Sequence, residues 1–278
     1  MNQRKRISSN EQTSGAPVAI QIGERLKVAR GNISEIYLSL QGEALWVGLP
    51  MVFVRTSGCH RRCAYCDTEY ALVKEPFARL WGRMKEGMPD AIEENPVTVK
   101  TVVNWIRKAS QGWVDWVAFT GGEPLLQVDF LVSLTHLLRK ERYRILLETE
   151  GGLADHLEKI LPYLSAVAAD IKLPSTTGES LDKDQCSLFF RKLAGAPVEK
   201  AAKIVVTQNI DESEWDWAVQ MLADIDDSFP LILQPVTPAR FVTERPKKAL
   251  LMNLCGRARK HLKNVRIVPQ VHKFLNIG

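Results

Sequence analysis

Three cysteines, Cys59, Cys63 and Cys66, stand close together in the run Cys-His-Arg-Arg-Cys-Ala-Tyr-Cys. Thiolates are soft ligands, and soft ligands select zinc or iron–sulfur centres over hard cations. A structural zinc site takes four closed ligands, usually from two separated pairs. The other cysteines, Cys186 and Cys255, stand alone, and His60 lies inside the loop, badly placed to complete a tetrahedron. A [4Fe–4S] cluster held for electron transfer normally has four protein ligands. Three cysteines therefore read as a cluster with one iron open to a small molecule. Zinc, or a chance grouping of thiols, stays as the alternative.

Such ligands need a frame. The run 52–54 (Val-Phe-Val) reads as a buried strand leading into the cysteine loop. Val99, Val102, Val103 and Ile106 share one helical face, as do Phe130, Leu131, Leu134, Leu137 and Leu138. Between them, 114–119 reads as a strand that ends at Thr120-Gly121-Gly122. Further strands are expected at 145–147, 166–171, 203–206, 231–233 and 265–268, with Trp215, Ala218, Val219 and Leu222 marking a helix. That alternation implies a parallel sheet with helical crossovers. Polar motifs sit directly after the strands, at 55–59, 120–124, 148–152, 170–174, 234–237 and 270–273. In a parallel barrel those strand ends gather at one rim, where such folds place their sites. The expectation is an α/β fold, a single-domain partial (β/α) barrel of parallel strands over residues 31–278. Residues 71–98 carry Pro76, Gly82, Gly87, Pro89 and Pro96 and read as an insertion with one short helix. Residues 1–30, beginning with Arg4, Lys5 and Arg6 and rich in small polar residues, read as a flexible basic tail.

Composition narrows the class. The 278 residues are 45% hydrophobic and 25% charged, enough to bury a sizeable core. A net charge of +5, with no dense basic block beyond the N-terminus, gives no reason for direct nucleic-acid binding. No run approaches the roughly 18 apolar residues of a membrane span, and the N-terminus lacks the apolar core of a secretory signal. Five cysteines, three of them clustered, argue against a disulfide framework and for a reducing compartment, so a cytoplasmic protein is expected.

Gly121-Gly122-Glu123-Pro124 follows the 114–119 strand. Two glycines let backbone approach a ligand closely, and a glutamate beside them can accept from an ammonium group. With the cysteine loop, this chain resembles the radical S-adenosylmethionine (SAM) enzymes. There a CxxxCxxC loop holds a [4Fe–4S] cluster, the open iron binds the amino and carboxylate groups of SAM, and the Gly-Gly-Glu-Pro motif grips the methionine amine. The resemblance implies reductive cleavage of SAM to a 5′-deoxyadenosyl radical that takes a hydrogen atom from substrate.

A closer likeness lies in Ser39-Leu40-Gln41-Gly42-Glu43, Phe53-Val54-Arg55, Gly58-Cys59, Cys66-Asp67-Thr68 and the ending Pro269-Gln270-Val271-His272-Lys273. These resemble the 7-carboxy-7-deazaguanine synthases, carbon–nitrogen lyases of queuosine biosynthesis. That family contracts the ring of 6-carboxy-5,6,7,8-tetrahydropterin with loss of ammonia. The resemblance implies that Leu40, Gln41, Gly42, Glu43, Thr120, His272 and the terminal Gly278 line the pterin, and that Arg55 pairs with its carboxylate. It implies Thr68 as a Mg²⁺ ligand. It assigns Tyr65, Cys66, Asp67, Gly121, Gly122, Glu123, Asp170, Ile171, Lys172, Gln234, Pro235, Val236 and Thr237 to SAM. It also implies a homodimer fed by a flavodoxin- or ferredoxin-type donor. Ala44 departs from the family's usual second glycine after the glutamate. Glu148 and Glu150 read as rim carboxylates without a catalytic role. A glycyl-radical activase and a non-catalytic zinc or iron–sulfur module are the competing readings.

Overall fold

The computed structural model describes residues 29–82 and 85–277. The basic tail, apart from its last two residues, and the terminal Gly278 lie outside them, so the expectations placed there go no further. An open ten-stranded sheet forms the frame. Its strands are β2 (Ile33–Leu40), β3 (Pro50–Thr56), β4 (Phe77–Trp81), β5 (Ala91–Glu94), β7 (Trp116–Gly121), β8 (Arg144–Thr149), β9 (Ala166–Asp170), β10 (Glu199–Val206), β11 (Leu231–Pro235) and β12 (Val265–Ile267). The order across the sheet is β12-β11-β10-β9-β8-β7-β3-β2-β4-β5, with β12 and β5 as its edges. A short pair, β1 (Arg30–Gly31) with β6 (Val97–Thr98), lies apart from it.

From β3 through β12 every neighbour is parallel. The crossovers are helical: α1 (Val99–Ser110), α2 (Val128–Lys140), α3 (Ala154–Ile160), α4 (Pro174–Thr177) with α5 (Lys183–Ala194), α6 (Glu212–Ile225) and α7 (Lys248–Ala258). A last turn, α8 (Val271–Phe274), ends the described chain. Helix starts follow their caps. Thr98 accepts from the Thr101 N–H at 3.1 Å, Asp182 from Asp184 and Gln185, and Asp211 from Ser213 and Glu214.

Two expectations change. The strands are not all parallel: β2 runs antiparallel to β3, because the short return 41–49 can make only a hairpin. Residues 71–98 hold no α-helix among those described. They form the antiparallel pair β4–β5, which adds to the sheet at β2. The signal there has a period of two: Ala78 and Leu80 are buried while Phe77, Arg79 and Trp81 are not. Pro76 and Pro96 flank that hairpin and Pro89 lies in its connection, so none interrupts a helix. Among the described residues no helix is long and apolar enough to cross a membrane.

The sheet's two faces differ in bulk. Val117, Phe119, Ile145, Leu147, Val167, Ile204 and Leu233 pack with the helices in the main core. Their alternates Ala118, Ala166, Ala168 and Ala201 face the other way, in a smaller cluster with Trp116, Phe53 and Tyr37. Small side chains on that inner face leave room above the sheet.

Trp215 on α6 is fully buried, and among the described residues its indole N–H has no hydrogen-bond partner. Trp215→Ala is expected to lower stability by about 3–5 kcal/mol through the cavity it leaves. Trp215→Phe is expected to cost a fraction of that, because it also removes the unpaired donor. Urea unfolding of both variants checks the contrast.

Candidate active site

A cavity of about 420 Å³ opens over the C-terminal ends of the parallel strands. The inner-face row that begins with alanines turns polar there. Two residues beyond Ala118 comes Thr120, beyond Leu146 comes Glu148, beyond Ala168 comes Asp170, beyond Ala201 comes Lys203 and beyond Ile232 comes Gln234. Arg55 stands in the same relation to Phe53. All six line the cavity.

The cysteine loop follows β3 without regular structure, and its backbone is tied down at both ends. Gly58 N–H donates to Ala71 O at 2.8 Å, Cys59 N–H to Leu72 O at 3.1 Å and Ala64 N–H to Thr177 O at 2.8 Å. Arg240 reaches the Arg62 and Cys63 carbonyls at 3.0 Å, and Arg61 is clamped to Glu150 at 2.8 Å. Cys59, Cys63 and Cys66 are free thiols on the cavity wall. Burial pushes the Cys59 thiol up to about 11, helped by the charge of Glu123, so bound iron would have to draw off its proton.

The donor set fits an iron–sulfur cluster better than zinc. Cys186 is 1% exposed inside the main core, Cys255 packs from α7 against it, and the His60 ring lies 3.8 Å from Glu150. None of these stands on the cavity wall with the three thiols. Among the described residues no three such side chains converge on a single ion position, and a cluster does not ask them to, since its ligands bind different irons.

Gly121 and Gly122 lock onto that loop. Gly122 N–H donates to Thr56 O and Glu123 N–H to Gly58 O, both at 3.0 Å. Gly121 has φ +126°, and a Cβ on Gly122 would strike the Gly58 and Ala71 carbonyls. The Glu123 carboxylate is largely committed inside the protein. It accepts from Leu125 N–H at 2.9 Å, the Thr149 hydroxyl at 2.7 Å and Glu150 N–H at 2.9 Å. Burial pushes it up to about 7, with the charge of Glu150 acting the same way. It therefore straps the β7 turn to the end of β8, leaving little acceptor capacity for an incoming ammonium.

Lys203 anchors the floor. It pairs with Glu43 and, at 3.2 Å, with Asp170, whose other oxygen holds Lys172 at 2.5 Å. Burial alone would raise Asp170, yet Lys172 and Lys203 hold it below its ordinary value. Glu43 is likewise lowered by Lys203 against burial. Lys203 itself is raised: burial works against it, and Asp170 and Glu43 prevail. Glu148 goes the other way, raised by burial and by Glu43, while Gln41 donates to it at 2.7 Å.

The C-terminal segment closes one side. Val271 N–H donates to Gly42 O at 2.9 Å, the His272 ring fills the space that a Gly42 side chain would need, and burial lowers the His272 pKa. Gln270 donates to Glu43 at 2.8 Å, and Lys273 pairs with Asp67 at 3.2 Å. Leu40, Thr68, Tyr65, Val236 and Thr237 also line the cavity. Ile171 does not, because its side chain is buried in the main core, and Pro235 lies off the wall. Gln234 Oε1 is buried on that wall without a partner among the described residues, an acceptor suited to a donor on a bound group.

Arg55 is held by Glu35 at 2.8 Å and by the Tyr37 hydroxyl at 2.6 Å through Nε and Nη2. Among the described residues Nη1 has no hydrogen-bond partner. Sequence reasoning passed over Lys203, Glu35, Tyr37, Tyr70 and Lys85, all on the cavity wall or touching it. The period-two row through Ala201 and Lys203 was the available signal for the first.

Lys203→Met is expected to cost about 3–5 kcal/mol near neutral pH, leaving Glu43 without its cation and Asp170 with Lys172 alone. Both carboxyls are lowered, so their pairing is full above the ordinary carboxylate range and is lost as pH falls through the lowered values. The stability gap between wild type and variant should therefore narrow on acidification. Urea unfolding at a series of pH values measures it, and a constant gap would assign the loss to packing.

Residues 53–205 match the sequence model of the Radical SAM superfamily. The 7-carboxy-7-deazaguanine synthase of Geobacter sulfurreducens is 35% identical over 249 residues, spanning 87% of this chain and 96% of that protein. The enzyme of that name from Methanopyrus kandleri is 34% identical over 253 residues, spanning 88% and 93%. In fold, the chain is similar to the crystal structure of QueE from Escherichia coli. The TM-score is 0.55 at 16% identity, over 92% of this chain and 99% of that one.

Proposed function

The chain belongs to the radical SAM superfamily and, within it, to the 7-carboxy-7-deazaguanine synthases, and on that premise we propose how its own residues carry out the reaction. It is an enzyme that converts 6-carboxy-5,6,7,8-tetrahydropterin to 7-carboxy-7-deazaguanine with loss of ammonia. The observation that carries the site reading is the single cavity shared by Cys59, Cys63, Cys66, Arg55 and the polar strand-end row. When bound, the [4Fe–4S] cluster and SAM supply a carbon-centred radical able to take a hydrogen atom from substrate.

The chain's residues hold and orient. Cys59, Cys63 and Cys66 would ligate the cluster. Gly122, Lys172, Gln234 and Thr237 border the space assigned to SAM, where the unpaired Gln234 Oε1 supports a donor contact. The free end of the Arg55 guanidinium receives the pterin carboxylate, fixed in direction by Glu35 and Tyr37. Gln41, Glu43 and Glu148 offer acceptors for the amino and ring N–H groups of the pyrimidine half. Arg55 and Glu148 stand on β3 and β8, two strands apart in the order β3-β7-β8. At roughly 4.8 Å per strand, that separation of about 10 Å suits a bicyclic ring and its carboxylate. Thr68 would be the residue to hold a Mg²⁺, which would supply positive charge beside the substrate; unchanged turnover after chelation would remove that ion from the scheme.

Residues 31–278 act as one catalytic unit in the cytoplasm, with 71–98 as an elaboration of it. Kinship supports a homodimer fed by a flavodoxin- or ferredoxin-type donor. Light scattering on the reconstituted protein tests the first, and turnover with each purified donor tests the second.

Cys63→Ala is expected to abolish iron incorporation, SAM cleavage and product together, read by iron analysis and mass spectrometry of an anaerobic reaction. Full turnover by that variant would refute the cluster assignment. Arg55→Ala is expected to keep its iron and to raise the KM for the carboxylated pterin by about 10- to 100-fold, the worth of one charge-assisted contact. An unchanged KM would free Arg55 from that role.

A further inference from the structure

Lys85 lies on the connection from β4 to β5, in the segment that fits the barrel pattern least, yet its side chain reaches the cavity wall beside Arg55. Its ammonium is 2.6 Å from Glu35 Oε1 and 4.8 Å from the centre of the Tyr37 ring. That one carboxylate oxygen also receives Arg55 Nε at 2.8 Å and the Tyr70 hydroxyl at 2.8 Å. Three donors thus converge on an oxygen with two lone pairs. That single oxygen carries more donors than it has lone pairs, while among the described residues none is directed at Glu35 Oε2.

The charges point the same way. Three cations, Arg55, Lys85 and Lys273, line this part of the cavity, against the carboxylates Glu35 and Asp67. Glu35 is 5% exposed and sits behind Arg55 and Lys85, whereas the Lys85 side chain keeps 24% of its surface open. An anion entering here meets unspent donors on both cations and relieves the crowding on Glu35.

We propose that Lys85 is a second carboxylate-binding cation of the substrate site, acting with Arg55, and that the β4–β5 segment thereby sets the preference for carboxylated pterins. This rests on the functional reading given above. Arg55, fixed from behind, offers a directed end; Lys85 adds a mobile point charge that can follow the carboxylate. The aromatic faces of Tyr37 and Tyr70 keep that charge at the wall when no anion is present.

The test compares 6-carboxypterin, an oxidised and unreactive form, with pterin itself, titrated by fluorescence quenching into the reconstituted full chain with SAM. Wild type is expected to bind the carboxylated pterin more tightly. Lys85→Met is expected to weaken 6-carboxypterin by about tenfold or more, to leave pterin unchanged, and to raise KM at constant iron content with little change in kcat. Lys85→Arg is expected to restore most of the preference. Equal loss for both pterins, or no loss for either, overturns the role of Lys85 while leaving the functional reading intact. If wild type binds the two alike, the functional reading fails and the Lys85 assignment falls with it.

Discussion

The ion pairs of Lys203 are the constraint on which the site's geometry depends. The lysine rises from the inner face of β10 and holds Asp170 on the neighbouring β9 and Glu43 on the return from β2 to β3. Glu43 in turn accepts from Gln270, so the C-terminal turn is tied to the same charge. Asp170 passes the connection to Lys172, whose ammonium lies 5.3 Å from the Tyr65 ring in the cysteine loop. A buried ion pair adds little net stability compared with an apolar replacement. What this one provides is position: three segments distant in sequence are drawn to one point on the cavity floor.

That point exists because of a size gradient along the strands. On the inner face Ala118, Ala168 and Ala201 leave the sheet bare, and the next inward residues, Thr120, Asp170 and Lys203, project into the space so created. Larger residues at those alanines would fill the cavity from below. On the opposite face Val117, Phe119, Val167 and Ile204 need that bulk to meet the helices. One alternation therefore does two jobs: the outer row builds the core, and the inner row clears and then furnishes the site.

What could be read from the sequence follows from this. Cys59, Cys63, Cys66 and the Gly121-Gly122 pair announce themselves because their chemistry depends on close sequence spacing. The parallel strands were legible because β-branched runs buried on both faces are conspicuous. Lys203 was not, because a single lysine after a strand gains meaning only from Asp170 and Glu43, which lie far away in the chain. The Glu123 carboxylate shows the converse: its motif was legible, but its capping of Leu125 and its bonds to the end of β8 could be seen only in three dimensions. The β4–β5 hairpin was obscured by its prolines and glycines, although Ala78 and Leu80 alternate with more exposed neighbours as a half-buried strand requires.

The rim that results has a direction. Strand order sets Arg55, Thr120, Glu148, Asp170, Lys203 and Gln234 side by side from β3 to β11. At the β3 end cations gather: Arg55 and Lys85, with the Tyr70 hydroxyl, converge on one oxygen of Glu35. At β8 the balance reverses: Glu148 is half-buried, raised, and served by a side-chain amide from Gln41 rather than by a cation of its own. Farther along, Asp170 and Lys203 neutralise each other. A planar ligand with an anion at one end and N–H donors at the other meets complementary groups in only one orientation. Fixing that orientation before reaction is worth more than tight binding, because radical transfer rewards the placement of one C–H bond rather than contact spread over the whole ring.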